Sequence, residues 1–191
     1  MLFNHKDEVT HQLKNIVTQD NGGVKIDNAE KLRGDVLDQL ILNAVLNPSA
    51  EIKGLSRFLI KSAAQELGIV TSSIQGLYDA RGRGEVKGFT VPALNIRGLP
   101  YELCRAIFRT AIKTNAGAFI FELAKSEMGY TFQKPQELST VILTAAIKEG
   151  FTGPVFIQGD HFQVNAKNYA LDPAKEVAGL KELIKNGIAG G

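Results

Sequence analysis

The chain has one cysteine, Cys104, and no tryptophan. A single thiol excludes an intrachain disulfide framework and suits a reducing compartment. Long apolar runs are missing too, and none approaches the length that spans a bilayer. The first twenty residues carry His5, Lys6, Asp7, Glu8, Lys14 and Asp20, so they lack the apolar centre of a secretory signal. Charge of one sign is scarce: Lys and Arg number 22 against 20 for Asp and Glu. Such a balance gives no electrostatic footprint for nucleic acid or an anionic membrane. We therefore expect a cytoplasmic protein with neither partner. Histidine is also rare, and His5 and His11 lie six apart on a polar helix, a spacing that does not form one ligand edge. What is present, 44% hydrophobic and 22% charged residues over 191 positions, suits an ordinary globular chain.

Two regions differ in character. Residues 1–85 read as helical and fairly polar. Val36, Leu37, Leu40, Ile41, Ala44 and Val45 recur at helical spacing after a capping-box-like Asp27-Asn28-Ala29-Glu30. Asn47-Pro48-Ser49 ends that helix, Ser49 can cap the next, and Gly68 stops it. A short helix near Ile74–Tyr78 leads into Arg81-Gly82-Arg83-Gly84-Glu85, which reads as a flexible linker and is too irregular for a phosphate loop. Gly22-Gly23 reads as a turn.

Residues 86–191 alternate strand with helix. Thr90–Ile96, Ala118–Leu123 and Pro154–Gln158 are strand candidates. Helices opened by Pro100, Pro135 and Asp172-Pro173 follow them, the second closed by Gly150 and the third ending near Gly187. Three βα units in series imply parallel strands with right-handed crossovers. Ile188-Ala189-Gly190-Gly191 then reads as the approach to a fourth strand. The expected fold is α/β: the first three of the eight units of a TIM barrel, preceded by an N-terminal helical region. Left so, the sheet would have an open edge and an uncovered inner face.

The strand Pro154–Gln158 leads into Gly159-Asp160-His161. Neighbouring strand residues face opposite sides, so Gly159 is expected to kink the chain and aim both side chains at one mouth. Asp suits proton transfer and His suits metal ligation; a capping Asp beside a satisfied His is the structural alternative. One His makes no metal site by itself. Asn95 ends the first strand, sharing a face with Ala93. Alternation puts Glu122 with Ala118 and Ile120 on the corresponding face of the second strand, where Arg97 or Lys125 could pair with it. Ser126, Glu127 and Tyr130 follow that strand on a loop. Cys104 reads as a core residue.

Val91–Ile96, Gly117–Glu122 and Gly159-Asp160-His161 together resemble the first three strand ends of class II, metal-dependent ketose-bisphosphate aldolases. Ser126–Thr131 and Phe151–Asn165 are similar to a long-chain branch of that family, fructose- or tagatose-bisphosphate aldolases. The likeness covers about residues 69–191. It implies that His161 is a ligand of a catalytic zinc or other divalent ion and that Asp160 is the acid/base at the C4 hydroxyl. Asn95, Glu122 and Ser126 would lie on the substrate side, facing a phosphorylated ketose or dihydroxyacetone phosphate. In such enzymes the metal stabilises the enediolate left by C3–C4 cleavage. Glu122 stands where many members have a different polar group. The other ligand histidines and phosphate loops would belong to later strands, so this stretch alone is expected to be inactive and the full-length protein a homo-oligomer. Two other readings stand beside this one: a catalytically inactive aldolase-like protein binding a sugar phosphate or a protein, and a self-contained small α/β domain.

Overall fold

The computed structural model describes residues 1–20 and 22–191, and the protein is mixed α/β. From the N-terminus come α1 (Lys6–Gln12), a hairpin of β1 (Val17–Asp20) and β2 (Gly23–Ile26), α2 (Ala29–Lys31), a π-helical segment (Leu32–Val36), α3 (Leu37–Leu46) and α4 (Ala50–Glu66). There follow β3 (Ile69–Ser72), α5 (Gln75–Gly82), β4 (Ala93–Asn95), α6 (Pro100–Thr114), β5 (Ile120–Ala124) and α7 (Glu127–Thr131). The chain closes with α8 (Pro135–Glu149), β6 (Gly153–Asp160), α9 (Ala166–Leu171) and α10 (Pro173–Gly190). Among the described residues no helix is long and apolar enough to cross a membrane.

The elements form where local chemistry favours them. Asn28 and Ser49 each accept a backbone N–H, from Lys31 and Ile52 respectively, at the starts of α2 and α4. Gly68 and Gly150 end α4 and α8 at φ +74° and +72°, where a side chain would strain the backbone. Pro100 opens α6, where its missing N–H leaves no bond unmade. Asp172 accepts from the Lys175 N–H at 3.0 Å ahead of Pro173. Gly22 sits at φ +90° in the turn of the β1–β2 hairpin.

The chain divides into two compact units that interleave in sequence. One is built from residues 1–70, 99–117 and 140–155, the other from 71–98, 118–139 and 156–191. In the first, Leu37, Leu40 and Ala44 of α3 and Ile52, Leu59, Ile60 and Ala63 of α4 are buried. Two buried asparagines tie the N-terminus to α3. Asn43 Oδ1 accepts from the Phe3 N–H and from Asn47 Nδ2, both at 2.8 Å, while Asn47 Nδ2 also donates to Phe3 O at 2.9 Å. Elsewhere in this unit Glu149 of α8 accepts from Arg105 and Arg109 of α6 at 2.6 and 2.9 Å. Lys148 donates to Asp38 at 2.7 Å, and the same carboxylate accepts from the Tyr101 hydroxyl at 2.8 Å. Burial, then the carboxylate of Asp38, push the Tyr101 phenol upward. Cys104 is fully buried on α6, and burial takes its thiol up to about 12, as suits a packing residue.

The four-stranded sheet has the order β3-β6-β5-β4, with β4, β5 and β6 parallel and neighbours in chain order. This succession is the expected one. The β6 edge, expected to be open, is taken by β3, a β-branched run (Ile69-Val70-Thr71) inside the region that read as helical. The hairpin was masked in the same way, since two four-residue strands give too short a pattern to show a period. Two further expectations need correction. Arg81-Gly82 belongs to α5 and is not linker. Ile188–Gly190 continues α10 and does not enter a strand, because the helix end is docked: Ser139 Oγ donates to Gly190 O at 2.5 Å, and Gly190 is buried so tightly that an added Cβ would lie 3.0 Å from the Gln136 backbone N.

Replacing Asn43 with Ala would leave the Phe3 N–H and one Asn47 donor buried without an acceptor. We expect N43A to lose about 2 kcal/mol, read as a lower urea midpoint at unchanged m-value.

Candidate functional site

Register aligns the site. Asn95 of β4 pairs with Glu122 of β5, and Glu122 with Gln158 of β6. Partners across parallel strands share a face, so these three project together, and two residues further on Ala124 and Asp160 do the same. The opposite face holds the apolar Phe121, Leu123 and Val155, all buried. The face that carries Asn95, Glu122 and Gln158 is polar only toward the strand tips, since the preceding row on it is Ala93, the buried Ile120 and Phe156.

Beyond the strand tips the polar face becomes a connected network within the second unit. Asp160 Oδ1 lies 2.5 Å from His161 Nδ1. Asp160 Oδ2 accepts from Asn95 Nδ2 at 3.2 Å, and the same amide nitrogen donates to Glu127 Oε2, also at 3.2 Å. Glu127 is only 3% exposed, yet it accepts two more bonds, from Arg97 Nε at 2.6 Å and from the Ala124 N–H at 3.0 Å. Burial by itself would push this carboxyl up. The bonds from Ala124, Arg97 and Asn95, together with the charge of Arg97, outweigh that and hold it below the ordinary value of 4.5.

Backbone conformation accounts for the Asp160–His161 contact. The expected kink at Gly159 is absent: β6 runs regularly through Asp160, and the turn comes at His161, with φ +51°. That left-handed residue swings the imidazole back beside the carboxylate and leaves the side chain 72% exposed. Gly159 serves another purpose. A Cβ there would stand 2.7 Å from three atoms of the Phe162 ring, so glycine makes room for that ring to cover the strand. Phe162 in turn lines an apolar cavity of about 270 Å³ with Leu123, Leu138 and Ile184. Left-handed non-glycine residues also occur in the connections after β4 and β5, at Leu99 (φ +46°) and Phe132 (φ +59°). The same conformation occurs outside these connections, at Asn15 and Asn115.

Of the residues singled out from sequence, Asn95, Asp160 and His161 are brought together. Glu122 lies on the same face but one step below, bonded to Gln158 Nε2, and does not pair with Arg97 or Lys125. Lys125 lies 3.3 Å from Glu176 instead. Ser126 is exposed ahead of α7, makes no side-chain cap bond and takes no part in the network. Neither a protein-family model, nor a curated protein, nor a solved structure matches the chain. The site is therefore read from its own chemistry. Sequence reasoning named Glu127 on the loop after the second strand but gave it no role and did not pair it with Arg97. The available signal was an arginine and a glutamate in successive strand-end loops, which parallel strands bring side by side.

A metal ion needs several donors converging on one point. His161 has its Nδ1 beside a carboxylate, the arrangement that orients a ligating imidazole and leaves Nε2 outward. Among the described residues, however, no group of three or more His, Cys, Asp and Glu side chains could hold a metal ion. A catalytic zinc takes three protein ligands. The described donors do not make such a site on their own.

Two outcomes follow from this geometry. Gly159→Ala should displace the Phe162 ring and cost about 1–3 kcal/mol, whereas a G159A/F162A pair should cost less than the sum of its parts, as thermal melts would register. Glu127, with its carboxyl held below the unfolded value, adds stability that is present above pH 4.5 and lost as pH falls through the folded value. The acid limb of a stability–pH curve should accordingly flatten in E127Q.

Proposed function

We propose that this chain carries the first three βα units of a class II ketose-bisphosphate aldolase barrel, acting on a phosphorylated ketose such as fructose- or tagatose-bisphosphate. The observation that supports the reading is the meeting of Asn95, Asp160 and His161 beyond the ends of parallel strands that are neighbours in chain order. Barrel enzymes assemble their chemistry from the ends of different strands in this way.

In this reading Asp160 exchanges a proton with the C4 hydroxyl of the ketose. Its two oxygens are already divided: Oδ2 receives Asn95 and Oδ1 faces His161. A carboxylate so held is oriented before substrate arrives, which is what a general base requires. Asn95, whose Nδ2 is engaged by two carboxylates, can offer only Oδ1 as an acceptor to a substrate hydroxyl. Glu122, on the same face and bonded to Gln158, limits the depth to which a substrate enters. Ser126, exposed at the start of α7, is the outermost of the proposed substrate contacts. His161 is proposed as one ligand of a divalent ion, zinc first, with the other donors coming from outside the described residues. A cytoplasmic homo-oligomer suits this reading.

The test uses full-length protein. Asp160→Asn should lower kcat for ketose-bisphosphate cleavage about a hundredfold or more with little change in KM. Chelation should abolish cleavage and added Zn²⁺ restore it. Activity that survives complete metal removal would sink the metal-dependent reading. Tight binding of a ketose bisphosphate without turnover would favour the inactive, sugar-phosphate-binding alternative, which the partial donor set recommends as second choice.

A further inference from the structure

We infer that Glu127 is a positioning residue, fixing the amide orientation of Asn95 and, through it, the Asp160 carboxylate and the tautomer of His161. The inference rests on the reading of Asp160 and His161 as the reacting pair, and it adds a residue and a cause to that reading.

The argument starts from an amide between two anions. Asn95 Nδ2 lies 3.2 Å from Glu127 Oε2 and 3.2 Å from Asp160 Oδ2. An NH₂ group has two hydrogens, and ionised carboxylates only accept, so both contacts demand the nitrogen on that side. With the Glu127 carboxylate gone, Asn95 Nδ2 keeps only one of the two acceptors that fix its orientation, and the hold on Asp160 Oδ2 loosens. Glu127 is suited to prevent this. It is 3% exposed and is tied at 3.0 Å to the Ala124 N–H at the end of β5, so its position derives from the sheet itself. Arg97, 2.6 Å from Oε1, offsets its charge and keeps it ionised. Register adds a second constraint, because Ala124 pairs directly with Asp160. The anchor of Glu127 and the carboxylate it steers therefore stand on adjacent strands at one level.

The last link is the imidazole. Which ring nitrogen of a neutral histidine carries the proton is set by the bond the other makes. With Asp160 Oδ1 2.5 Å from Nδ1, the proton belongs on Nδ1 and Nε2 is left as the outward lone pair. The arrangement Arg97–Glu127–Asn95–Asp160–His161 thus passes a geometric instruction from a buried carboxylate, paired with an exposed arginine, to an exposed ring.

The tautomer of His161 can be read in metal-free protein by long-range ¹H–¹⁵N correlation, with the exposed His5 as internal reference. This needs no turnover, so loss of the aldolase reading would not be confused with loss of this one. Wild type is expected to show the Nδ1–H form at His161. Glu127→Gln and Asn95→Ala are both expected to shift its ratio to that of His5, while Asn95→Ala leaves the Arg97–Glu127 pair in place. A folded E127Q with the wild-type ratio overturns the proposal. So does a folded N95A with that ratio, whether or not E127Q folds. In active full-length enzyme E127Q should lower kcat and leave KM unchanged, a split that general destabilisation would not produce.

Discussion

The register of three parallel strands is the constraint on which the rest depends. Asn95, Glu122 and Gln158 stand in one row, with Ala124 and Asp160 in the row above. A slip of one residue in β6 would turn Asp160 to the apolar face and bring Gly159 beside Ala124. Register is held because the other face buries Phe121, Leu123 and Val155, whose exposure would cost several kcal/mol. The polar site is thus aligned by the apolar packing behind it. The chemistry and the core are two sides of the same strands.

Upon that alignment the molecule builds a chain of charge. Buried carboxylates are costly unless fully bonded, and Glu127 receives a backbone N–H, a guanidinium and an amide. It can then act as a fixed negative point within an otherwise loop-built mouth. Left-handed backbone at His161, just past the end of β6, turns the imidazole back toward the Asp160 carboxylate. Order in the sheet and the turn at His161 divide the work: the first supplies position, the second direction.

Much of this was legible in the residues. Alternation in Ala93-Leu94-Asn95 and in Ile120-Phe121-Glu122 assigned the faces, and Ser49, Pro100 and Asp172 announced their helices. Short elements escaped, since four residues of β3 or of the hairpin strands carry too little period to stand out from neighbouring helices. The helix end at Gly190 escaped for another reason: its continuation depends on Ser139, fifty-one positions away. Gly159 was given the right importance and the wrong cause, because its crowding by Phe162 is a tertiary fact.

By itself the sequence determined which residues could react and which strands would carry them, because side-chain period and cap chemistry are local. Asp160 and His161 were visible as a strand tip with two reactive groups. Only the tertiary structure decided their relation: that His161 turns back by its own left-handed backbone, that Asp160 is shared with Asn95, and that Glu127 anchors that amide from the next strand. The reason is distance along the chain. Asn95 and Asp160 are sixty-five residues apart, and no local pattern encodes a bond that exists only once the sheet has formed.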